Sequence, residues 1–339
     1  MLTVFRAVSI VAISVAALPV LAACGASNEP AIATHLGFDQ EPSFSAAAAQ
    51  SLGTVRVVLL STHEHIVVGV AAAVQLSLVS TNGAHLRGTL SADVLNGVAT
   101  FPDLNVDSAG IGYRIVAKAT GLDSAVSLPF NVTLGPPAQL RFDSIQYARA
   151  GLVLPPVTVR VLDAGGNFLP TANTVITVGS HWTAVGGTTT RGALNGKAVF
   201  DDLVLTKWGA DNWLYAAAPN VDSATSNFFM VWPGPCTQLA VSQIAGGHVG
   251  TSLGSIYVSR GDSYGNTCVA VPPGGSATYT IALGNNPSGA TLSGPTTAIG
   301  FYCCYVFNSI VIDKPGTGYT LIVQSNGLSV TTNRFDIVP

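Results

Sequence analysis

Leu95-Asn96-Gly97-Val98-Ala99-Thr100-Phe101-Pro102-Asp103-Leu104 returns 99 residues further on as Leu194-Asn195-Gly196-Lys197-Ala198-Val199-Phe200-Asp201-Asp202-Leu203. The same offset lays Gly110 on Gly209, Ala119 on Ala218, Asp123-Ser124-Ala125 on Asp222-Ser223-Ala224 and Phe130 on Phe229. An offset of 206 recovers a third, more diverged copy, with Leu86 on Leu292, Phe101 on Phe307, Gly110 on Gly316 and Gly112-Tyr113 on Gly318-Tyr319. A period of about 100 residues is the size of a domain, not of a solenoid turn. Each copy opens alike, with Leu36-Gly37-Phe38, Leu140-Arg141-Phe142 and Leu239-Ala240-Val241. Pro136-Pro137 and Pro233-Gly234-Pro235 stand just before the second and third openings. Such clusters cannot continue a strand ladder and make short, stiff joints.

Within each copy the apolar residues alternate with period two, as in Val157-Thr158-Val159-Arg160-Val161, Tyr113-Arg114-Ile115-Val116-Ala117 and Phe335-Asp336-Ile337. Alternation sends one face into a core and the other to water, the pattern of antiparallel strands. Turn clusters recur between the runs, among them Thr81-Asn82-Gly83, Ala164-Gly165-Gly166-Asn167 and Tyr264-Gly265-Asn266. About seven short strands per copy, with no helical period after the N-terminus, predict an all-β chain of β-sandwiches. Gly110, Gly209 and Gly316 are expected to permit tight turns, and Tyr113 and Tyr319 to bond back to the chain as a tyrosine corner does.

Composition narrows the partners. Of 339 residues, 48% are hydrophobic and 9% charged, with a formal net charge of -3. The apolar content excludes a chain disordered throughout, and scattered Lys and Arg leave no basic field for phosphates, so nucleic acid is not an expected partner. Arg6 is the one charged side chain before Glu29, and Ala7 to Val20 form an apolar run. The run is too short for a bilayer-spanning helix, which needs about 20 apolar residues, and suits a signal-peptide core. It ends in Leu21-Ala22-Ala23-Cys24-Gly25, which resembles the bacterial lipobox. That resemblance implies a lipoprotein signal peptide over residues 1–23, a diacylated Cys24, an acyl anchor in the membrane and a flexible tether over 24–32. Gly25 after the cysteine implies release to the outer membrane. The alternative is an ordinary signal peptide cut near Ala23.

The succession Leu-x-Phe, Val-x-Val, then Asp163-Ala164-Gly165-Gly166-Asn167 or Asp262-Ser263-Tyr264-Gly265-Asn266, then Gly-x-Ala-x-Phe-x-x-Leu and Gly-x-Gly-Tyr resembles the tandem bacterial immunoglobulin-like repeats of the invasin and intimin type. The resemblance runs from about residue 33 to 339 and implies three immunoglobulin-like sandwiches, at 33–134, 135–232 and 233–339. It implies a fold, not an activity. The first copy departs from it, with His63-Glu64-His65 near the place of the Asp-Gly-Asn turn. No lectin-like terminal domain is evident, so the repeats read as a stalk without a head.

Besides Cys24, all cysteines fall in the last copy: Cys236, Cys268, Cys303 and Cys304. An even set in an exported chain reads as disulfides. In an immunoglobulin-like topology these positions lie at one end of the sandwich, and neighbours along a strand face opposite ways. Two bridges from Cys236 and Cys268 to the Cys303-Cys304 pair are therefore favoured. The alternative joins Cys236 to Cys268. A thiolate metal site lacks a C-x-x-C or a nearby histidine, and no cofactor is implied.

Several patterns mimic chemistry. Gly250-Thr251-Ser252-Leu253-Gly254 matches G-x-S-x-G, but that elbow needs a following helix. His63-Glu64-His65 fails H-E-x-x-H, since Val67 stands at the second histidine's place; a solvated turn is the plainer reading, with an H-x-H strand pair as the alternative. Asp201-Asp202, and Asp163 with Asn167, offer oxygen ligands for calcium, yet Asp and Asn also cap turns unaided. Three Glu in the whole chain leave no evident carboxylate pair for glycoside hydrolysis. All four tryptophans, Trp182, Trp208, Trp213 and Trp232, lie in the second copy. Trp208 and Trp213 bracket an expected loop and form a candidate glycan or protein site, whereas Trp232 beside Pro233 is expected in the core or the joint.

The sequence thus predicts a lipid-anchored, non-catalytic protein of the bacterial envelope surface, acting as a structural stalk or adhesion module. A carbohydrate- or protein-binding module using Trp208 and Trp213 is the alternative, and an enzyme with a cleft between domains stands third. Self-association by strand-edge pairing is a further expectation for so weakly charged a chain.

Overall fold

The computed structural model describes residues 32–268, 276–301 and 304–339. Among the described residues there are strands and no helix, and so none long and apolar enough to cross a membrane. Three separate hydrophobic cores form, each from one stretch of chain. The first gathers Leu36, Val57, Phe101, Ile115 and Phe130. The second gathers Leu140, Val159, Phe200, Leu214 and Phe229, and the third Leu239, Val258, Phe307, Tyr319 and Phe335. The repeat pairs Phe101, Phe200 and Phe307 occupy the same place in the three cores, and all three are fully buried.

Each unit is a sandwich whose opening strand changes sheet. In the first unit His35–Gln40 pairs antiparallel with Val55–Leu60, which pairs with Val98–Phe101. After the switch, Ser45–Ala47 lies parallel to the closing strand Phe130–Thr133, which leads on through Gly110–Lys118, Ala73–Val79 and Ser91–Asp93. The second unit repeats this with Gln139–Phe142 on Val157–Leu162 and Ala148–Arg149 parallel to Phe229–Trp232. The third does so with Gln238–Val241 on Ile256–Gly261 and Gly247–His248 parallel to Phe335–Val338. Alternation in sequence becomes alternation in burial: along Val157–Leu162 the valines point inward. Edge strands such as Ser91–Asp93 and Thr190–Gly192 are three residues long, which limits the backbone they offer for edge pairing.

The tyrosine corner is present at both places the sequence marks. The Tyr113 hydroxyl lies 3.2 Å from the Ser108 carbonyl and 3.3 Å from that of Ala109, and Asn82 donates to it at 2.7 Å. Tyr319 donates to the Lys314 carbonyl at 3.0 Å. The glycine ahead of each tyrosine has a different job from the turn expected of it. Gly110, Gly209 and Gly316 open strands, and none of the three has positive φ. A methyl group at Gly110 would overlap the Tyr113 hydroxyl, so the residue is small to let the ring fold back. The turn glycines are Gly112 and Gly318, at φ 71° and 78°. In the second unit Asn212 stands at the tyrosine's position and donates to the Gly209 carbonyl at 2.8 Å.

Candidate functional site

The Asp-x-x-Gly-Asn turns place polar groups in buried positions. Asp163 ends a core strand and is fully buried, where a carboxylate is tolerated only if hydrogen bonds replace its water. One carboxylate oxygen accepts from the N–H groups of Gly165 and Asn167, at 3.0 and 2.9 Å. The other accepts from Gly135, in the connector from the first unit, at 3.0 Å. The turn closes through Asp163 N–H to the Asn167 carbonyl and Gly166 N–H to the Asp163 carbonyl, and Gly166 takes the φ of 83° that this closure requires.

So held, the Asn167 carboxamide faces the first unit. Its Nδ2 donates to the Asp107 carbonyl at 3.0 Å, and its Oδ1 accepts from Ala109 N–H at 3.4 Å. The next joint repeats every partner at an offset of 99. Asn266 Nδ2 donates to the Thr206 carbonyl at 2.8 Å, and its Oδ1 accepts from Trp208 N–H at 3.3 Å. Asp262 accepts from Gly234 in the connector at 2.9 Å, and from Tyr264 and Asn266 N–H, each at 2.9 Å. Burial would raise the Asp262 pKa, but the hydrogen bonds from Asn266, Gly234 and Tyr264 outweigh it and hold the carboxyl below its ordinary value.

The joints differ in filling. At the first, Gly165 lies against Asp107 and Ala48, where a side chain would collide with the Asp107 carbonyl. At the second, Tyr264 occupies the corresponding place and covers Gly151. The corresponding positions of the first unit's turn and of the third unit differ. In the first unit Ser61 and His65 replace the Asp and Asn of the turn, which still closes through Ser61 N–H to the His65 carbonyl. In the third unit Pro315 stands at the position of Ala109 and Trp208, and proline has no N–H to offer an asparagine.

The remaining candidates fall into place around this frame. Asp163 and Asn167 serve the joint rather than an ion. Asp202 accepts from the Thr188 hydroxyl and N–H, at 2.6 and 3.0 Å, and from Arg191, while Asp201 pairs with Arg191 at 2.6 Å. His63, Glu64 and His65 are exposed on a turn, not on a strand, and Glu64 reaches His35 at 3.2 Å. Among the described residues no three His, Cys, Asp or Glu side chains gather as metal ligands. Ser252 is exposed, and its hydroxyl accepts from Gly254 N–H at 3.2 Å in a local turn with no helix after it.

The tryptophan expectation needs correction. Gly209–Asn212 is a strand, not the loop expected between Trp208 and Trp213. Trp208 is 50% exposed and its backbone belongs to the joint. Trp213 instead stacks on His181, with ring centroids 4.4 Å apart and planes 12° from parallel. His181 meets Trp182 edge-on at 5.2 Å, and Trp182 is 61% exposed. Sequence reasoning missed His181 because only the cross-strand register, Ser180 opposite Leu214, sets it beside Trp213. Trp232 is partly buried at the end of its strand, where its carbonyl accepts from Ala150 N–H at 2.8 Å.

Of the cysteines in the favoured disulfide pairing, Cys236, Cys268 and Cys304 are described. Among the described residues no disulfide is formed, and Cys236 and Cys268 meet as thiols. Cys268 is buried and Cys304 exposed on a strand opposite Ser259. Cys24 and Cys303 lie outside the described residues.

With the joints described, the chain defines itself as an all-β protein of tandem sandwich units. No protein-family profile matches it, and no curated protein matches its sequence. Solved structures similar to it include the Escherichia coli adhesin FdeC, at 15% identity and a TM-score of 0.30 over 92% of this chain and 99% of that one. Invasin, a bacterial integrin-binding protein, gives 16% identity and a TM-score of 0.30 over 88% of this chain and 59% of that one. Domains 1–6 of the surface layer protein SbsC give 12% and 0.27 over 91% and 40%.

Replacing Asn167 or Asn266 by alanine removes both hydrogen bonds across one joint, at a cost of about 1–3 kcal/mol to the docked arrangement. Circular dichroism is expected to stay unchanged, while small-angle scattering shows a broader distribution of interdomain distances. The depressed pKa of Asp262 stabilises the second joint above the ordinary carboxylate value of about 3.9, and that stabilisation is lost as pH falls through the lower, folded-state value. Limited proteolysis of the 233–237 connector is expected to be flat from neutrality to about pH 5 and to accelerate in more acid solution.

Proposed function

We propose that this chain is a non-catalytic spacer of the bacterial envelope surface, with three immunoglobulin-like domains at 33–134, 135–232 and 233–339 that hold an adhesive or structural surface away from the membrane. The observation that carries the reading is the repeated clamp: Asn167 and then Asn266 make the same bonds to the preceding unit at two joints, each beside an aspartate, Asp163 or Asp262, that holds the connector. Joints that were merely tethers would not need the same buried carboxylate twice. Few charges and fully engaged carboxylates suit a framework better than a reaction site. The anchor in this reading is acylated Cys24 at the outer membrane, through a short tether, since one diacylated and N-terminally modified cysteine supplies enough buried hydrocarbon for stable attachment.

Cys24→Ser is expected to move the protein from the membrane fraction to the soluble fraction and to remove the acyl mass from its N-terminal peptide. Unchanged fractionation and mass would overturn the lipoprotein reading while leaving the clamps untouched.

A second reading is favoured by the aromatic group of the second unit, where exposed Trp182 stands against the stacked His181 and Trp213. Exposed indoles of this kind stack on sugar rings or anchor a protein partner. In this reading Trp182→Ala abolishes a ligand-induced shift of tryptophan emission on a glycan panel, and Trp208→Ala does not. A panel with no shift for the wild-type chain leaves the spacer reading alone.

A further inference from the structure

The repeat allows one pair of positions to be compared between two units. The offset of 99 that carries Asp262 onto Asp163 and Asn266 onto Asn167 also carries Cys236 onto Pro137 and Cys268 onto Leu169. In the second unit these positions hold a proline of the connector and a buried leucine. In the third unit both have become cysteine. A single thiol in place of either residue would be a neutral apolar change, but here both positions differ together.

Thr237, next to Cys236, donates to the Gly261 carbonyl at 2.9 Å, and Cys268 donates to the Arg260 carbonyl at 2.9 Å, so both segments are tied to the end of the strand Ile256–Gly261. The Cys268 sulfur is buried, 4.0 Å from the carbonyl of Gly234, and the Cys236 thiol is its side-chain partner. Gly234 is also the residue whose N–H is held by Asp262.

We propose that Cys236 and Cys268 are the two halves of a disulfide that fastens the connector 233–236 to the strand bearing the Asp262–Asn266 turn, so that oxidation locks the second joint and has no counterpart at the first. The oxidant is a disulfide, R–S–S–R, carried by a thiol oxidoreductase or a small dithiol compound. Cys236, the partly exposed member, loses its proton and attacks one sulfur of the oxidant. The S–S bond of the oxidant breaks, one RSH leaves, and a mixed disulfide remains on Cys236. Cys268 then gives up its proton and attacks the Cys236 sulfur; the mixed S–S bond breaks and the second RSH leaves. Two S–H bonds become one S–S bond, and the oxidant gains the two electrons and two protons. Burial pushes the Cys268 thiol pKa up, aided by the hydrogen bond with Cys236, and the thiolate is the nucleophile. Cys236 is therefore the point of entry.

Purified, reduced full-length protein treated with oxidised glutathione tests this without reference to where the protein resides. Peptide mapping under non-reducing conditions is expected to find Cys236 joined to Cys268, and cleavage of the 233–237 connector by protease to slow several-fold on oxidation. Cys268→Ser should trap glutathione on residue 236, whereas Cys236→Ser should leave Cys268 unmodified. Cys236→Pro with Cys268→Leu, which installs the residues of the second unit, keeps the fold and should remove the redox dependence of cleavage. A map joining Cys236 or Cys268 to Cys303 or Cys304, or one with both modified separately by glutathione, overturns the proposal. Cleavage equally slow in both redox states, with the bridge formed, overturns the locking role.

Discussion

A buried carboxylate with no water must be hydrogen-bonded to persist, and the fold turns that necessity into a joint. Asp163 and Asp262 each gather N–H groups from their own turn and from the incoming connector. Once the carboxylate is satisfied, the asparagine four residues on has a single orientation, with its amide turned toward the preceding unit. The carboxylate does not itself cross the joint to the neighbouring sandwich. It fixes the group that does, and the glycine connector residue ties the approach of the chain to the same point.

Much of the architecture was legible beforehand, since period-two alternation and the 99-residue repeat report directly on strands and cores. The tyrosine corners were legible too, because Gly-x-Gly-Tyr stands at the same place in the first and third copies, ending in Tyr113 and Tyr319. The clamp was only half legible. Asp163 and Asn167 could be seen as turn cappers or ion ligands, but the acceptors and donors they meet are the backbone of residues 107, 109, 206 and 208, and backbone atoms leave no mark in side-chain identity. One trace existed: Gly135 and Gly234 share the offset of the turns. The tryptophan pair misled because Gly209–Asn212 between them reads as a loop in sequence, whereas it is a strand and Trp213 stacks on His181.

The variation among the units is informative where the framework is not. The first unit keeps the shape of the turn with Ser61 and His65 but not its chemistry, and the third has Pro315 where an N–H would be needed. The second unit gives up its tyrosine for Asn212 and carries the aromatic group of His181, Trp182 and Trp213 instead. The elements common to all units serve the fold, and the ones confined to a single unit (the aromatic group and the thiol pair) are where individual properties reside.

The central claim is that the clamps set the relation between neighbouring units. Residual dipolar couplings of the intact chain test it most directly, because each unit reports its own orientation in a common alignment medium. The account predicts one alignment tensor shared by the three units. Three tensors of different magnitude and direction, as independently tumbling units give, would contradict it.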